Sequence, residues 1–443
     1  MLTCITKEMG EEMSNYIENT GFEDYTERIF SAFYYYSLGK KLSNTFRVSL
    51  QLIAPIDEAL LERAVKNTMQ RYPYLLVRRK NTFRETLLVY NPEPVVVKHG
   101  SEPIELGCDA SNGHMIAFSY EGDTVYIHVF HGLLDGTGVS FIIKTFLYYY
   151  CREAFDPDIS AEGIRVIGDS IPPEEYTDPF PRSVPKEYKS LSKRPLFSKA
   201  FHLKNDPRVH TGEKRCWAIT VDETELMRFC RTNDGSPAIL VSVVLSRAIA
   251  ALNPDEKKPI VAGIAFNLRP AFHAPLAHHS LTDMLPLEFS EKLKKHSFEM
   301  QNTVFRSRVM LKSDAETAVR NLKFASQLFG LMQKVPSLAV KRFLFGLAVP
   351  AQYGANTFMV SYVGKINLGT VQQYVVSRHS DLDSTGVGIA IEMNAYGGKF
   401  HIDFMADFPE DLYVKAFCNE LETLGIGYKC GEARPLFTPK CRY

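Results

Sequence analysis

The sequence predicts an α/β (α+β) two-layer sandwich in each of two halves, and three observations predict it. Short segments alternate apolar and polar residues with the period of strands, longer segments between them carry apolar residues at helical spacing, and a glycine pair joins two late strands as an antiparallel hairpin. At 443 residues the chain exceeds one ordinary domain, which favours two.

Taken in order, Phe46, Val48, Leu50 and Leu52 form one face of a first strand. Asp57 then suits a helix N-cap, and Leu60, Leu61, Ala64, Val65, Thr68 and Met69 carry that helix until Pro73 ends it. Thr124–Phe130 alternates again, with Val125, Ile127 and Val129 opposite Tyr126, His128 and Phe130, and reads as a half-buried strand. Beyond Gly136 and Gly138, the residues Val139, Ile142, Ile143, Phe146 and Leu147 recur at helical spacing, giving a helix of about three turns. Between Pro157 and Pro195 lie seven of the 24 prolines, mixed with charges, a composition suited to a crossing linker. The expected division is therefore 1–156, a linker over 157–200, and 201–443.

The second half opens like the first. Ala218–Val221 reads as a strand, Asp222-x-x-Glu225 as a capping box, and the helix that follows runs through Phe229. Ile239–Ala251 has the uninterrupted apolar character of a buried helix, Ile260–Asn267 that of a buried strand, and Glu291–Arg320 reads as one or two longer helices. Val387–Ala395 and Phe400–Phe408 flank Gly397-Gly398, the hairpin signal, and a last helix carries Val414, Phe417 and Leu421.

Composition excludes several classes of function. A hydrophobic share of 45% with 23% charged residues is that of a globular protein with sizeable cores, and 51 basic against 51 acidic residues leave no field to attract nucleic acid. No basic start leads into a long apolar run, and no stretch of about 18 apolar residues marks a transmembrane segment, so a cytoplasmic location is expected. Eight cysteines without a Cys-x-x-Cys pair suggest reduced, structural thiols and no zinc site. His273, His278 and His279 lack regular ligand spacing and read as part of a polar loop, so no metal is expected. The apolar run Arg342–Pro350 reads as core or pocket lining.

The stretch His128-Val-Phe-His131-Gly-Leu-Leu-Asp135-Gly136-Thr-Gly138 carries the chemistry. It places His131 at the end of a strand, with an ordinary pKa of about 6.5 that lets it take and return a proton near neutrality. Asp135 either orients the imidazole directly or points away and braces the turn through a buried ion pair. His128, three positions earlier along the strand, is expected on the opposite face and is read as structural.

His131-x-x-x-Asp135-Gly136 resembles the signature of the coenzyme A-dependent acyltransferase superfamily, which includes chloramphenicol acetyltransferase, plant acyltransferases, alcohol acetyltransferases and peptide-synthetase condensation domains. The resemblance extends along nearly the whole chain in the order of the alcohol acetyltransferase branch. Phe46–Arg71 resembles its opening strand and helix, and Arg71-Tyr72-Pro73 its "RYP" helix end. Asn267-Leu268-Arg269-Pro270 resembles its "NLRP" strand end, and Ser361-Tyr362-Val363-Gly364 its "S-x-x-G" strand. Many members carry a second histidine immediately before the first; Phe130 stands there in this chain, as a non-histidine does in other active branches.

The resemblance implies two chloramphenicol acetyltransferase-like domains with the active site at their interface and a tunnel that admits pantetheine from one side and acceptor from the other. It implies His131 as general base, Asp135 in an ion pair with Arg269 beside Gly136, Ser361 as a candidate donor to the oxyanion, and Asn267 as a candidate for shaping the turn or pocket. The activity implied is transfer of an acyl group, most simply acetyl, from acyl-CoA as co-substrate to a small alcohol or amine, with no permanently bound cofactor. An acyl carrier protein is the alternative donor, as in condensation-type enzymes. A non-catalytic binding protein on the same fold is the third reading.

Overall fold

The computed structural model describes residues 22, 25–27, 36, 44–178, 200–210, 212–353, 355–382 and 386–436. Residues 179–199 of the expected linker, together with Cys4 and Cys441, lie outside the described residues.

A first sheet is built mainly from the N-terminal half. Its strands from that half are β1 (Thr45–Leu52), β2 (Val97–His99), β3 (Ile116–Glu121) and β4 (Thr124–Phe130), and helices α1 (Glu58–Arg71) and α2 (Gly136–Ala154) belong to the same half. Alternation turns Val48, Leu50, Val125 and Ile127 into one core with Leu61, Val65, Ile142 and Phe146 of the helices. Asp57 caps α1 by accepting from the Leu60 N–H at 3.0 Å, and the helix stops at Arg71, before Pro73. Two details differ from expectation. Helix α2 has 19 residues, about five turns, because the run through Tyr150 and Cys151 meets no glycine or proline before Pro157. Strand β4 is central, between β1 and β3, and His128 and Phe130 are buried along with the apolar face.

The second sheet comprises β5 (Arg215–Asp222), β6 (Ile260–Asn267), β7 (Thr282–Phe289), β8 (Phe358–Lys365), β10 (Ile389–Tyr396), β11 (Lys399–Ala406) and β12 (Tyr428–Cys430), together with a two-residue strand, Arg434–Pro435, that pairs with β5, once β9 (Val375–Leu382) is set aside for the first sheet. Its order is β7-β6-β8-β10-β11-β5-β12, with β6, β8 and β10 parallel and the remaining neighbours antiparallel. The β10–β11 hairpin turns through Gly397 and Gly398 at φ 59° and 75°, left-handed angles that glycine adopts without strain. Helix α3 (Glu223–Thr232) starts at Asp222, which accepts from the Glu225 N–H at 2.9 Å; the Glu225 carboxylate itself binds the Gly427 N–H, so the predicted box is only half closed. Helix α4 (Pro237–Leu252) is apolar on most sides and central to the second core, where Leu240, Val244 and Ile249 meet Ile219, Ile264, Ile402 and Phe417.

Strand β9 crosses back. It pairs antiparallel with β1, giving the first sheet the order β9-β1-β4-β3-β2, so a segment of the second half completes the sheet that carries His131.

The segment Glu291–Arg320 holds a short helix, Glu291–Lys294, then α5 (Phe298–Lys312) and the start of α6 (Ala315–Gln333). Ser297 and Asp314 restart the chain by accepting from the Met300 and Thr317 N–H groups at 3.3 and 3.0 Å, which breaks the one or two helices expected into three. The apolar run Arg342–Pro350 lies in α7 (Leu338–Tyr353), where Phe343 is 67% exposed and Leu344 40%. These two side chains are therefore not core, and the side chains of 346–350 lie outside the described residues. The final helix, α8 (Leu412–Thr423), places Val414, Phe417 and Leu421 in the second core as expected. No single helix among the described residues is long and apolar enough to cross a membrane; α3 and α4 pass that test only as a pair bent by 79°.

Candidate active site

Strand β4 ends at Phe130, and the turn that follows places His131 just past the end of this central strand. The His131 N–H donates to the Asn44 carbonyl at 2.7 Å, and its ring meets Phe46 edge-on at 5.3 Å between centroids. Burial lowers the imidazole pKa, while a hydrogen bond to its own backbone and the Asp135 charge act in the opposite direction. The ring is half-buried and neutral at physiological pH, the state in which it accepts a proton.

Asp135 does not orient that ring. Its carboxylate takes Arg269 Nη1 and Nη2 at 2.8 and 2.9 Å, the Gly138 N–H at 2.8 Å and the Leu281 N–H at 2.9 Å. One side chain thus caps α2, binds a strand-end loop of the other half, and forms a bidentate pair. Arg269 is equally engaged, since Nε donates to the Ala277 carbonyl at 2.9 Å and Nη2 to the His279 carbonyl at 3.0 Å. Both residues are buried, and the carboxylate oxygens and all three guanidinium nitrogens have hydrogen-bond partners. Of the two roles open to Asp135 in the sequence, the geometry has the second.

Asn267, at the exposed end of β6, accepts from the Arg269 N–H at 3.0 Å and from Nη1 at 3.2 Å. Its side-chain oxygen thus shapes the Arg269 turn. Gly136 begins α2 where a Cβ would come within 3.3 Å of Val363, two positions from Ser361 on the same face of β8. Gly138 is tighter still: a Cβ there would lie 2.0 Å from the His278 carbonyl oxygen, so only glycine lets the 277–281 loop wrap the helix end.

That loop differs from the polar loop expected of it. His278 and His279 are both buried; His278 Nδ1 lies 2.6 Å from the Tyr74 hydroxyl and its ring stacks on Phe141, while His279 bridges the Leu133 and Tyr176 carbonyls. Tyr74 also donates to Glu175, which is paired with Arg71 and Arg165, so a buried polar network braces the loop from behind. Among the described residues no group of three His, Cys, Asp or Glu side chains is placed to hold a metal. His128 points away from the site, 2.9 Å from the Ser119 hydroxyl, and burial drives its pKa down to about 3.

Ser361 faces the first sheet. On β8, Phe358, Val360 and Tyr362 pack toward the second core, whereas Met359 packs against the small cluster that also takes Leu382 of β9 and Val363 packs against the first core, which leaves Ser361 between them on the face turned to β9. Directly beside it in register stands Glu392 of β10, and beside Glu392 in turn stands Asp403 of β11. Arg378 and His379 of β9 approach the same row: Asp403 lies 2.9 Å from His379 Nδ1 and accepts the Ser380 N–H at 2.8 Å, and the Asn394 amide donates to the Arg378 carbonyl at 3.0 Å. The sequence reading missed this row. Its signal was present in Glu392, Asn394, His401 and Asp403, polar residues alternating with Ile391, Met393, Ile402 and Phe404 through an otherwise apolar hairpin.

No family profile matches the chain, and no curated protein sequence does. Solved structures do. TRI101 of F. graminearum, in complex with coenzyme A and deoxynivalenol, superposes with a TM-score of 0.61 at 14% identity, covering 92% of this chain and 99% of that one. The first condensation domain of the CDA synthetase superposes with a TM-score of 0.60 at 13% identity, covering 91% of this chain and 96% of that one. The condensation domain of the Monacolin K polyketide synthase MokA gives 0.57 at 12% identity, with 90% and 96% covered. Two large sheets, the strand that crosses between them and near-complete coverage of these chains together establish that this protein has the two-domain, chloramphenicol acetyltransferase-like fold shared by TRI101 and these condensation domains.

Proposed function

We propose that the protein transfers an acyl group from acyl-CoA to a small alcohol or amine, with His131 as the general base. The observation that carries this reading is a neutral, half-buried imidazole at a strand end, beside a turn braced by the Asp135–Arg269 pair. The acceptor gives its proton to His131 as its oxygen or nitrogen attacks the thioester carbonyl, and His131 returns that proton to the departing thiolate. General-base catalysis of this kind contributes about 10²–10⁴ in rate. A complex of TRI101 with coenzyme A on the same fold supports the donor class.

Direct attack fits the four buried thiols among the described residues. Cys151, Cys216, Cys230 and Cys418 are buried, and burial pushes each thiol pKa up, away from the thiolate a nucleophile needs. Transfer then runs through a ternary complex without an acyl-enzyme.

A second reading takes the acyl group from a carrier-protein phosphopantetheine, because condensation domains share the fold. One experiment separates the two. Thiol release from acetyl-CoA is followed over a panel of alcohols and amines, with His131→Ala beside the wild type. Acceptor-dependent release that falls at least a hundredfold in the variant supports the proposal. No release from free acyl-CoA, together with transfer from an acylated carrier protein, moves the donor to the second reading. Near-normal turnover by His131→Ala overturns the role of His131.

A further inference from the structure

The row Ser361–Glu392–Asp403 does more than join two sheets. Ser361, Val363 and Glu392 are partly accessible although they sit on the inner face of the second sheet, whereas Arg378, Asn394 and Asp403 beside them are buried. Ser361 and Glu392 thus keep some exposure between the sheets, and Val363, two positions from Ser361, packs beside Gly136, at the start of the helix five residues beyond His131.

The charges around the Glu392 carboxyl are unevenly matched. From β9, Arg378 brings a buried guanidinium whose Nη1 finds no hydrogen-bond partner among the described residues, and His379 beside it is engaged by Asp403. From β11 come Asp403 and His401, the latter ring 4.8 Å from His379; from β8 comes the Ser361 hydroxyl, held against Glu392 by the parallel register. Asp403 has its two oxygens on His379 and the Ser380 N–H, so Ser361 is the neutral hydrogen-bonding neighbour of Glu392.

We propose that Glu392 is a positioning residue for acyl transfer, which sets by its own protonation where the Ser361 hydroxyl hydrogen points. This rests on the acyltransferase reading above. An ionised Glu392 accepts the Ser361 O–H and holds it away from substrate. A protonated Glu392 donates to the Ser361 oxygen instead, and the serine hydrogen is then free to donate to the acyl carbonyl oxygen as negative charge develops there. Bonds balance without Ser361 or Glu392 being consumed: the acceptor atom bonds to the acyl carbon, the carbon–sulfur bond breaks, and the acceptor proton travels through His131 to the thiolate. Burial raises the Glu392 carboxyl to about 7, and Asp403 adds to the rise, while the Ser361 hydroxyl and Arg378 pull it down. The switch thus falls at neutral pH.

The test is a pH profile of kcat for acetyl transfer to the acceptor found in the panel above, in wild type, Glu392→Gln and Ser361→Ala. In the wild type kcat should fall as pH rises through about 7, by up to the 10²–10³ that one oxyanion donor contributes. Glu392→Gln, a permanently neutral mimic of the acid, should keep the low-pH rate and lose the decline; Ser361→Ala should be slow at every pH and lose it too. Isotope-edited infrared spectroscopy reads the same event without turnover, as a protonated carboxyl signal that disappears near pH 7 and is absent from Glu392→Gln. A decline unchanged in Glu392→Gln, or a carboxyl ionised throughout the neutral range, overturns this proposal and leaves the acyltransferase reading standing. No transfer by wild type from any thioester donor overturns that reading, and this one with it.

Discussion

Asp135 concentrates four hydrogen bonds on one carboxylate, and its removal leaves Arg269 buried without its counter-charge. Asp135→Ala and Arg269→Ala should each lower stability by about 3–5 kcal/mol, and the double variant by clearly less than the sum, as read from urea midpoints. Additive losses would show that the pair is not coupled. Gly138 sets a second requirement at the same turn. Because a Cβ would lie 2.0 Å from the His278 oxygen, Gly138→Ala must push the loop off the helix, at about 1–3 kcal/mol of stability, and it should lower acyl transfer as the brace under His131 shifts. The reach of this residue was invisible in the sequence. Gly138 and His278 lie far apart along the chain, and nothing local in either signals the contact.

Strand β9 shows what an element does when it changes partners. Its Asp381 is buried, receives Arg47 of β1 at 2.9 Å and Arg434 at 2.6 Å, and so fastens the first sheet to the C-terminal segment that pairs with β5. Burial pushes this carboxyl up, but Arg47 and Arg434 outweigh it and hold the pKa below the usual range. Asp381→Ala leaves Arg47 and Arg434 without their shared counter-charge and should cost about 3–5 kcal/mol, with protease cleavage appearing first around Val375–Leu382. Unchanged stability would mean that the two arginines find other partners. The alternation that identifies a strand does not identify the strand it pairs with, and β9 carries Ser377, Arg378, His379, Ser380 and Asp381, too polar to be recognised by pattern at all.

The whole molecule stores a pH dependence in its buried imidazoles. His114, His128 and His401 have pKa values lowered by burial to about 4, 3 and 4, below the roughly 6.5 of an unfolded histidine. Each contributes stability that is present above 6.5 and is lost as pH falls toward the folded value, at about 1.4 kcal/mol per pH unit. His379 is raised by Asp403 despite its burial, and Glu392 is raised by burial; both bind protons more tightly in the folded state and so oppose the trend. His131 and His278, also lowered by burial, add to the majority. Stability should therefore fall between pH 6.5 and 5, measured by urea denaturation at fixed ionic strength. A flat or rising curve over that interval would mean that these rings are not buried neutral.

The sequence by itself determined the local order of the chain and the chemistry on offer. Caps at Asp57 and Asp222, the Gly397-Gly398 turn, the buried strand Ile260–Asn267 and the strand end that presents His131 all follow from dihedral preferences and periodicities that act within a few residues. Resemblance along the chain added the pairing of Asp135 with Arg269. Tertiary structure alone decided that β9 completes the first sheet, that Leu281 and His279 close the brace, and that Ser361 faces Glu392 across a register. The reason is physical: a hydrogen-bonding group shows its type in the sequence, but its partner is whichever complementary group the packing of two sheets brings within about 3 Å.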